Sequence, residues 1–363
     1  MSAVVAFRSR LLLLAMLLCG GSSAALAQRY LTTLGIVAEL PAGTGAHAII
    51  TGDFNGDGLV DLAAVGERQL TLQYQQEGST GWKPVTLSVG KPIVAAAAGR
   101  CNRDRLADIV LVTDDPPEVL VYCSKPGEKT SLSWRSRIPA LYGNVLLADA
   151  DNDGRADIVL FGKRQLGVSV MRGNGNGSFR PGLTLLPESS IGALSIEDIN
   201  GDGINDMIAV HWVSNQLMIY TGFGKLHFSE PSVLQFTTEP RLFSTASLDS
   251  DRNRDLVVCF PEERRCGLFL GDGLGEFHPV QNISLNSTPA ALGIADVNGD
   301  GKDDIGFLSP GDGSLLIDLN NGERLSDSVI YGAGEHPVDF LFMRHGRTSL
   351  VDAIVLDSAG SRL

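Results

Sequence analysis

The sequence predicts an all-β protein, a seven-bladed β-propeller of four-stranded antiparallel blades closed by its N-terminal strand. Three observations carry this. A nine-residue acidic pattern recurs seven times in near-constant register; each copy runs straight into a short apolar stretch; and a Gly-rich turn ending in an aromatic follows in most repeats about 30 residues after the pattern starts. No long amphipathic segment separates these marks, so an alternation of strands and helices is not expected.

The acidic pattern reads Asp-x-Asn/Asp-x-Asp-Gly-x-x-Asp. Complete copies run from Asp53 to Asp61, Asp149 to Asp157, Asp198 to Asp206 and Asp296 to Asp304, followed by Leu62–Val65, Ile158–Phe161, Met207–Val210 and Ile305–Leu308. Worn copies start at Arg100, Ser247 and Arg344 and end at Asp108, Asp255 and Asp352. The starts are spaced by 47, 49, 49, 49, 49 and 48 residues, the mark of a repeat architecture. Four strands of five or six residues with their turns fill one such period, so residues 28–363 read as one propeller domain.

Within a repeat, the strand before the loop is the inner one, and small residues such as Ala95–Ala98, Ala290, Ala291 and Gly293 suit the crowded axis. The apolar run is the second strand. The third ends in the Gly-rich turn, seen at Gly173–Phe179, Gly222–Gly224 with Phe228, and Gly271–Phe277, with Trp82 and Trp134 in the aromatic place of the first two repeats. Glycine supplies the positive φ of such turns. The fourth strand follows the aromatic. Repeat seven stops at Leu363 after its second strand, whereas a strand-like segment, Tyr30–Leu40, precedes the first loop. An open edge invites other chains, so that segment is expected to complete the last blade, with one strand still unaccounted for.

Residues 1–27 differ from the rest. Arg8 and Arg10 precede the apolar run Leu11–Leu18, and Ala25-Leu26-Ala27 offers small residues at a cleavage site, so a secretory signal peptide is expected. The run falls short of the roughly 18–20 residues that span a bilayer, so no membrane span is expected after cleavage. Location is then secreted or otherwise extracytoplasmic. Loss of two arginines leaves 27 basic and 42 acidic residues, a formal charge of −15. With no basic stripe, nucleic acid is not an expected partner.

Alternating oxygen donors in a tight loop suit a hard cation that takes six to eight oxygens. In the first copy Asp53, Asn55, Asp57 and Asp61 would offer side chains and Leu59 its carbonyl; the others offer Asp149, Asp151, Asp153, Asp157 with Arg155, Asp198, Asn200, Asp202, Asp206 with Ile204, and Asp296, Asn298, Asp300, Asp304 with Lys302. Without a cation such carboxylates repel, and with no Cys or His in these four loops calcium fits better than zinc. The twelfth positions, Ala64, Leu160, Ala209 and Phe307, are apolar where an EF-hand needs Glu, so the metal would staple a hairpin. On these repeats the chain resembles the FG-GAP and VCBS repeat family, similar to the propeller of integrin α subunits, over nearly all of residues 30–363. The resemblance implies four Ca2+ sites and a calcium-binding role in adhesion. The fifth loop keeps Asp249, Asp251 and Asp255 but has Ser247 first and Arg252 for glycine, so weak binding or none is expected. In the second and seventh loops Arg100 and Arg344 are expected to replace the ion and pair with Asp108 and Asp352.

After export four cysteines remain, and in an oxidising compartment Cys259 with Cys266 and Cys101 with Cys123 are expected as disulfides within a blade; buried free thiols are the alternative. No catalytic constellation is present: the histidines are isolated, and His-Glu-x-x-His and Gly-x-Ser-x-Gly are missing. The expected function is a noncatalytic binding or adhesion module for a protein or a glycan. Its rivals are a calcium-dependent polysaccharide lyase or hydrolase, and a structural spacer of a longer surface protein. The face opposite the calcium loops is the expected ligand face, with His211, Trp212, Tyr142, Arg241, Glu263, Arg264 and His336 as candidates, His211 and Trp212 first.

Overall fold

A computed structural model describes residues 2–10, 33–77, 82–127, 130–162, 166–249, 251, 253–321, 325–344, 346–347 and 351–358. The fold is an all-β propeller of four-stranded antiparallel blades. Six blades, rather than the seven of the repeat count, are each built from four consecutive strands. Their inner strands are Ala48–Gly52, Ile93–Gly99, Asn144–Ala148, Ile191–Glu197, Leu242–Ala246 and Ala291–Ala295. The second strands are Asp61–Val65, Asp108–Thr113, Asp157–Phe161, Asp206–His211, Asp255–Phe260 and Asp304–Ser309, so each begins on the last aspartate of its loop. The third strands, Gln69–Gln75, Glu118–Cys123, Val168–Gly173, Gln216–Tyr220, Arg265–Gly271 and Ser314–Asn320, lead to outer strands Trp82–Ser88, Ser131–Arg137, Phe179–Leu185, Ser232–Gln235, Phe277–Ser284 and Leu325–Gly332. Among the described residues no helix is long and apolar enough to cross a membrane.

The seventh repeat supplies two strands, Pro337–Arg344 and Val351–Asp357, which share a sheet with both N-terminal strands in the order Thr33–Gly43, Ser2–Arg10, Val351–Asp357, Pro337–Arg344. This changes the expected arrangement. The segment around 30–40 lies at the outer edge rather than beside the C-terminal hairpin, and Ser2–Arg10, from the expected signal peptide, lies between them. Its pairs run from Ala3 with Asp357 to Arg8 with Asp352. In that sheet Ser2–Arg10 takes the place next to the second strand that a third strand holds in the other blades. Tyr30, Cys19 and the Ala25–Ala27 cleavage site lie outside the described residues.

After their first aspartate, second strands are largely apolar because both of their faces are covered. In blade 3, Ile158 and Leu160 pack with Val110 and Val112 of blade 2, while Val159 and Phe161 pack with Met207 and Ala209 of blade 4. Alternation therefore sorts residues between two cores rather than between core and water. Truncating such a side chain to alanine costs about 2–5 kcal/mol. The aromatics that follow the Gly-rich turns serve the same cores: Phe179 and Trp134 meet with centroids 5.5 Å apart between blades 2 and 3, and Phe277 lies between blades 4 and 5. Small inner-strand residues have a local cause too. A Cβ on Gly293 would come within 2.7 Å of the Phe340 ring, and one on Gly306 of the adjacent second strand within 2.8 Å.

The composite sheet packs on both neighbours. Met343, Ile354 and Leu356 join Ile49, Leu62 and Ala64 of blade 1, and Phe340, Ala353 and Val355 join Leu308, Leu315 and Ile317 of blade 6. Between the composite sheet and blade 1, Asp339 Oδ2 accepts the Ile49 N–H at 2.9 Å and its Oδ1 accepts the Phe340 N–H at 2.9 Å. Burial raises the Asp339 pKa to about 6, against the lowering effect of these amides and of His47. The folded state thus holds a proton more tightly than the unfolded chain, whose aspartates titrate near about 3.9. The stability from protonated Asp339 is full below that value and lost as pH rises through about 6. Thermal melts of wild type and Asp339→Asn across this window should show wild type losing stability relative to the variant as pH rises; a pH-independent difference contradicts the assignment.

Candidate metal centres

Each complete loop first satisfies itself. Asp53 Oδ1 accepts the Gly56 N–H at 2.6 Å and Oδ2 the Gly58 N–H at 3.0 Å; Asn55 Oδ1 accepts Asp57 N–H and Asp57 Oδ1 accepts Leu59 N–H, both at 2.8 Å. Asp198, Asn200 and Asp202 repeat these contacts with Gly201, Gly203, Asp202 and Ile204, as do Asp296, Asn298 and Asp300 with Gly299, Gly301, Asp300 and Lys302. In blade 3, Asp149 accepts from Asp153 and Gly154, and Asp153 from Arg155. These bonds turn the first, third and fifth side chains toward one side of the loop.

The fourth position carries a requirement that the nine-residue pattern left as x. Gly56, Asn152, Gly201 and Gly299 have φ of 83°, 57°, 75° and 79°, a left-handed turn that glycine and asparagine tolerate. The second loop has Arg103 there, outside that region, and loses the first-position carboxylate as well. Sequence spacing alone held this signal, since three of the four complete copies have glycine at that place.

The ninth aspartate is bound differently. Asp61 Oδ2 accepts Phe54 N–H at 2.9 Å and Oδ1 accepts Gln75 N–H at 2.9 Å, tying the loop to the end of the third strand. The pair recurs as Cys101 and Ser124 on Asp108, Ala150 and Gly173 on Asp157, Ile199 and Gly222 on Asp206, Leu248 and Gly271 on Asp255, and Val297 and Asn320 on Asp304. All six are buried. Burial raises the pKa of Asp61 to about 7 and those of Asp157 and Asp304 to about 6, more than the amides lower them.

The third loop shows how the residues fit a cation. Carboxylate oxygens of Asp149, Asp151 and Asp153 lie within 4.8 Å of one another, a spread that a central ion with metal–oxygen distances of about 2.3–2.6 Å can bridge. Asp151 is buried and its Oδ1 has no hydrogen-bond partner among the described residues, while Arg172 Nε stands 3.2 Å from Oδ2. Arg172 was not foreseen. Nor was the convergence of Asp272, Glu276 and His278 on the Gly-rich turn of blade 5, all exposed. The fifth loop keeps Asp249 Oδ1 on Asp251 N–H and Asp251 Oδ1 on Asn253 N–H, while Ser247 N–H donates to Asp303 at 2.7 Å; Arg252 lies outside the described residues.

Arg100 corrects another expectation. Both Asp108 oxygens are taken by amides, and Arg100 forms no ion pair with a described residue, so the expected pairing of Arg100 with Asp108 is not made. Cys259 and Cys266 are bonded across the second and third strands of blade 5, but Cys101 and Cys123 are free thiols, with Ser133 Oγ donating to Cys123 Sγ at 3.0 Å. The expected ligand face also changes. Tyr142 is 4% exposed, inside the core between blades 2 and 3. Trp212 lies over Gly192, whose Cβ would fall 0.9 Å from the indole nitrogen, and it packs against the core between blades 4 and 5. His211 is half-buried, which lowers its pKa, and pairs with Ile191. Arg241 lies 3.5 Å from Glu239 and from Glu262. Glu263 is engaged by Thr238 and Arg265, and the Arg264 N–H by the Pro261 carbonyl.

Repeated acidic loops at the corner of every propeller blade define a class, and the FG-GAP-like repeat matches residues 149–209 and 247–307. The chain thus carries FG-GAP-like repeats on a β-propeller fold. No curated protein sequence matches it. Among solved structures, the fold is similar to the periplasmic gluconolactonase PpgL of Pseudomonas aeruginosa, at 12% identity and TM-score 0.63, covering 92% of this chain and 98% of that one. It is likewise similar to BBS1N, solved in complex with ARL6DN, at 12% identity and TM-score 0.61, covering 88% and 95%. Sqt1 of Saccharomyces cerevisiae follows at 11% and 0.56, covering 83% and 79%.

Ninth-position and first-position aspartates should separate in experiment. Asp108→Ala, in a loop with no complete ligand set, should destabilise by about 1–3 kcal/mol for each amide left unsatisfied, whether or not calcium is present. Asp53→Ala should reduce mainly the part of stability that calcium confers. Denaturant titrations with calcium and with EDTA test both; an Asp108→Ala loss that appears only with calcium refutes the structural role.

Proposed function

We propose that this protein is an extracytoplasmic, calcium-stabilised, noncatalytic binding module for a protein or glycan ligand, with the composite sheet acting as its seventh blade. The observation that carries the reading is the convergence of Asp149, Asp151 and Asp153 with a buried carboxylate oxygen lacking a partner, on a loop repeated in three further blades. A divalent ion would satisfy that oxygen and relieve the repulsion between the carboxylates. The same loops account for the clustered acids that a hydrolase or lyase reading would otherwise use.

Export bears on the ring. Cleavage after Ala27 would remove Ser2–Arg10, leaving Thr33–Gly43 and Val351–Asp357 on either side of one strand's width, about 4.8 Å from each flank. Mass spectrometry of the exported protein should give an N-terminus at Gln28.

Saturating calcium at about one hundred times Kd adds about 2.7 kcal/mol per site, so the calcium-loaded protein should melt well above the EDTA-treated one, with about four ions released. A metal-free protein whose Tm ignores EDTA overturns the calcium reading. Turnover assays on acidic and neutral polysaccharides beside glycan and protein arrays test the second half; bond cleavage overturns the noncatalytic reading.

A further inference from the structure

Between blades 2 and 3, on the side of the acidic loops, lies a cavity of about 680 Å3 lined by Arg100, Arg103 and Arg155 on one hand and Asp104, Asp149 and Asp153 on the other. The worn second loop forms one wall and the complete third loop the opposite one. Outward, the cavity ends where Asn102 bridges Asn176 and the Gly177 N–H donates to the Cys101 carbonyl at 2.9 Å. Arg155 rests on Gly175, where a Cβ would come within 3.2 Å of its Cδ.

The charges on the two sides are not equivalent. Both oxygens of Asp149 are held by the amides of Asp153 and Gly154, Asp153 Oδ1 by that of Arg155, and Asp104 Oδ1 by that of Leu106. Arg100 and Arg103 are exposed and form no ion pair with a described residue, in a chain of formal charge −13. Unengaged guanidiniums offer paired donors that match a carboxylate. The remaining acceptors of Asp104 and Asn102 suit hydroxyl groups. Apolar anchors, which dominate protein-docking surfaces, are missing from the lining except for Leu147.

We infer that this cavity is a subsite for a uronate-bearing glycan, its carboxylate held by Arg100 and Arg103 and its hydroxyls by Asp104 and Asn102 of the same loop. The inference rests on the binding-module reading and deepens it, by giving the ligand a charge and placing it on the loop side of the ring. Another Arg-headed loop provides an internal comparison. Arg344 and Asp296 line a cavity of about 520 Å3, but with a single arginine beside Phe342 and Met343, so it lacks the paired guanidiniums.

Isothermal titration of the calcium-loaded full chain with short oligogalacturonate, alginate oligomers and hyaluronan oligomers tests this, with methyl-esterified oligogalacturonate as the neutral control. At least one uronate oligomer should bind, lose affinity on esterification, and bind about tenfold or more weakly to Arg100→Ala/Arg103→Ala. Arg344→Ala should bind as wild type does, and thermal melts should show that both variants remain folded. Equal binding to the double variant, equal binding of the ester, or no binding of any uronate overturns the inference. A neutral glycan or a protein found on the arrays in that last case would leave the binding-module reading standing.

Discussion

One carboxylate between two backbone amides fixes the corner of each blade. The ninth aspartate takes a loop N–H on one oxygen and an N–H from the end of the third strand on the other, so three segments of chain meet at a single buried side chain. A loop cannot shift without leaving an amide in the core unsatisfied, and that penalty is comparable to the net value of several ordinary hydrogen bonds. The second strand begins at this residue, and its register, together with the sorting of its side chains between adjacent cores, follows from that anchoring. Blades 2 and 5 keep the corner although their first positions are Arg100 and Ser247, so the architecture does not depend on an acidic first position.

Much of the fold was legible because the repeat speaks through spacing. The apolar runs after the loops, the Gly-rich turns and the aromatics behind them all fall on the strands and cores expected of them. Blade count was less legible. The last repeat supplies two strands, and pairing across the chain ends depends on which distant segment reaches the open edge, a matter that local pattern does not encode. The different uses of the acids were also hidden: Asp53 accepts amides of its own loop whereas Asp61 ties the loop to the third strand, yet both are the same letter, and only geometry distinguishes them.

Two of the ligand-face residues, Tyr142 and Trp212, turn to the core for one physical reason. Polar and aromatic residues in turns were assigned to solvent, but the turn after a buried strand can fold back onto the core. Tyr142 is enclosed, and Trp212 uses the missing side chain of Gly192 to lie flat. Gly192 was the available clue, since a glycine within a strand often marks close approach of another group. Cysteine count, likewise, distinguishes partners only when strand register does. Cys259 and Cys266 are direct cross-strand neighbours, whereas Cys101 sits in a loop and Cys123 at a strand end.

Neighbouring acidic loops are joined as well as repeated. Ala107 N–H donates to the Asp53 carbonyl, Asn205 Nδ2 to that of Asp149, and Asp303 N–H to that of Ser247, so the eighth residue of one loop grips the first residue of the loop before it. These clasps join the loops of blades 1 and 2, 3 and 4, and 5 and 6. Ordering one corner restrains its clasped neighbour, so ions filling the loops of blades 3 and 4 would not act as independent guests, and a blade gained or lost by recombination would break a clasp or leave one without its partner.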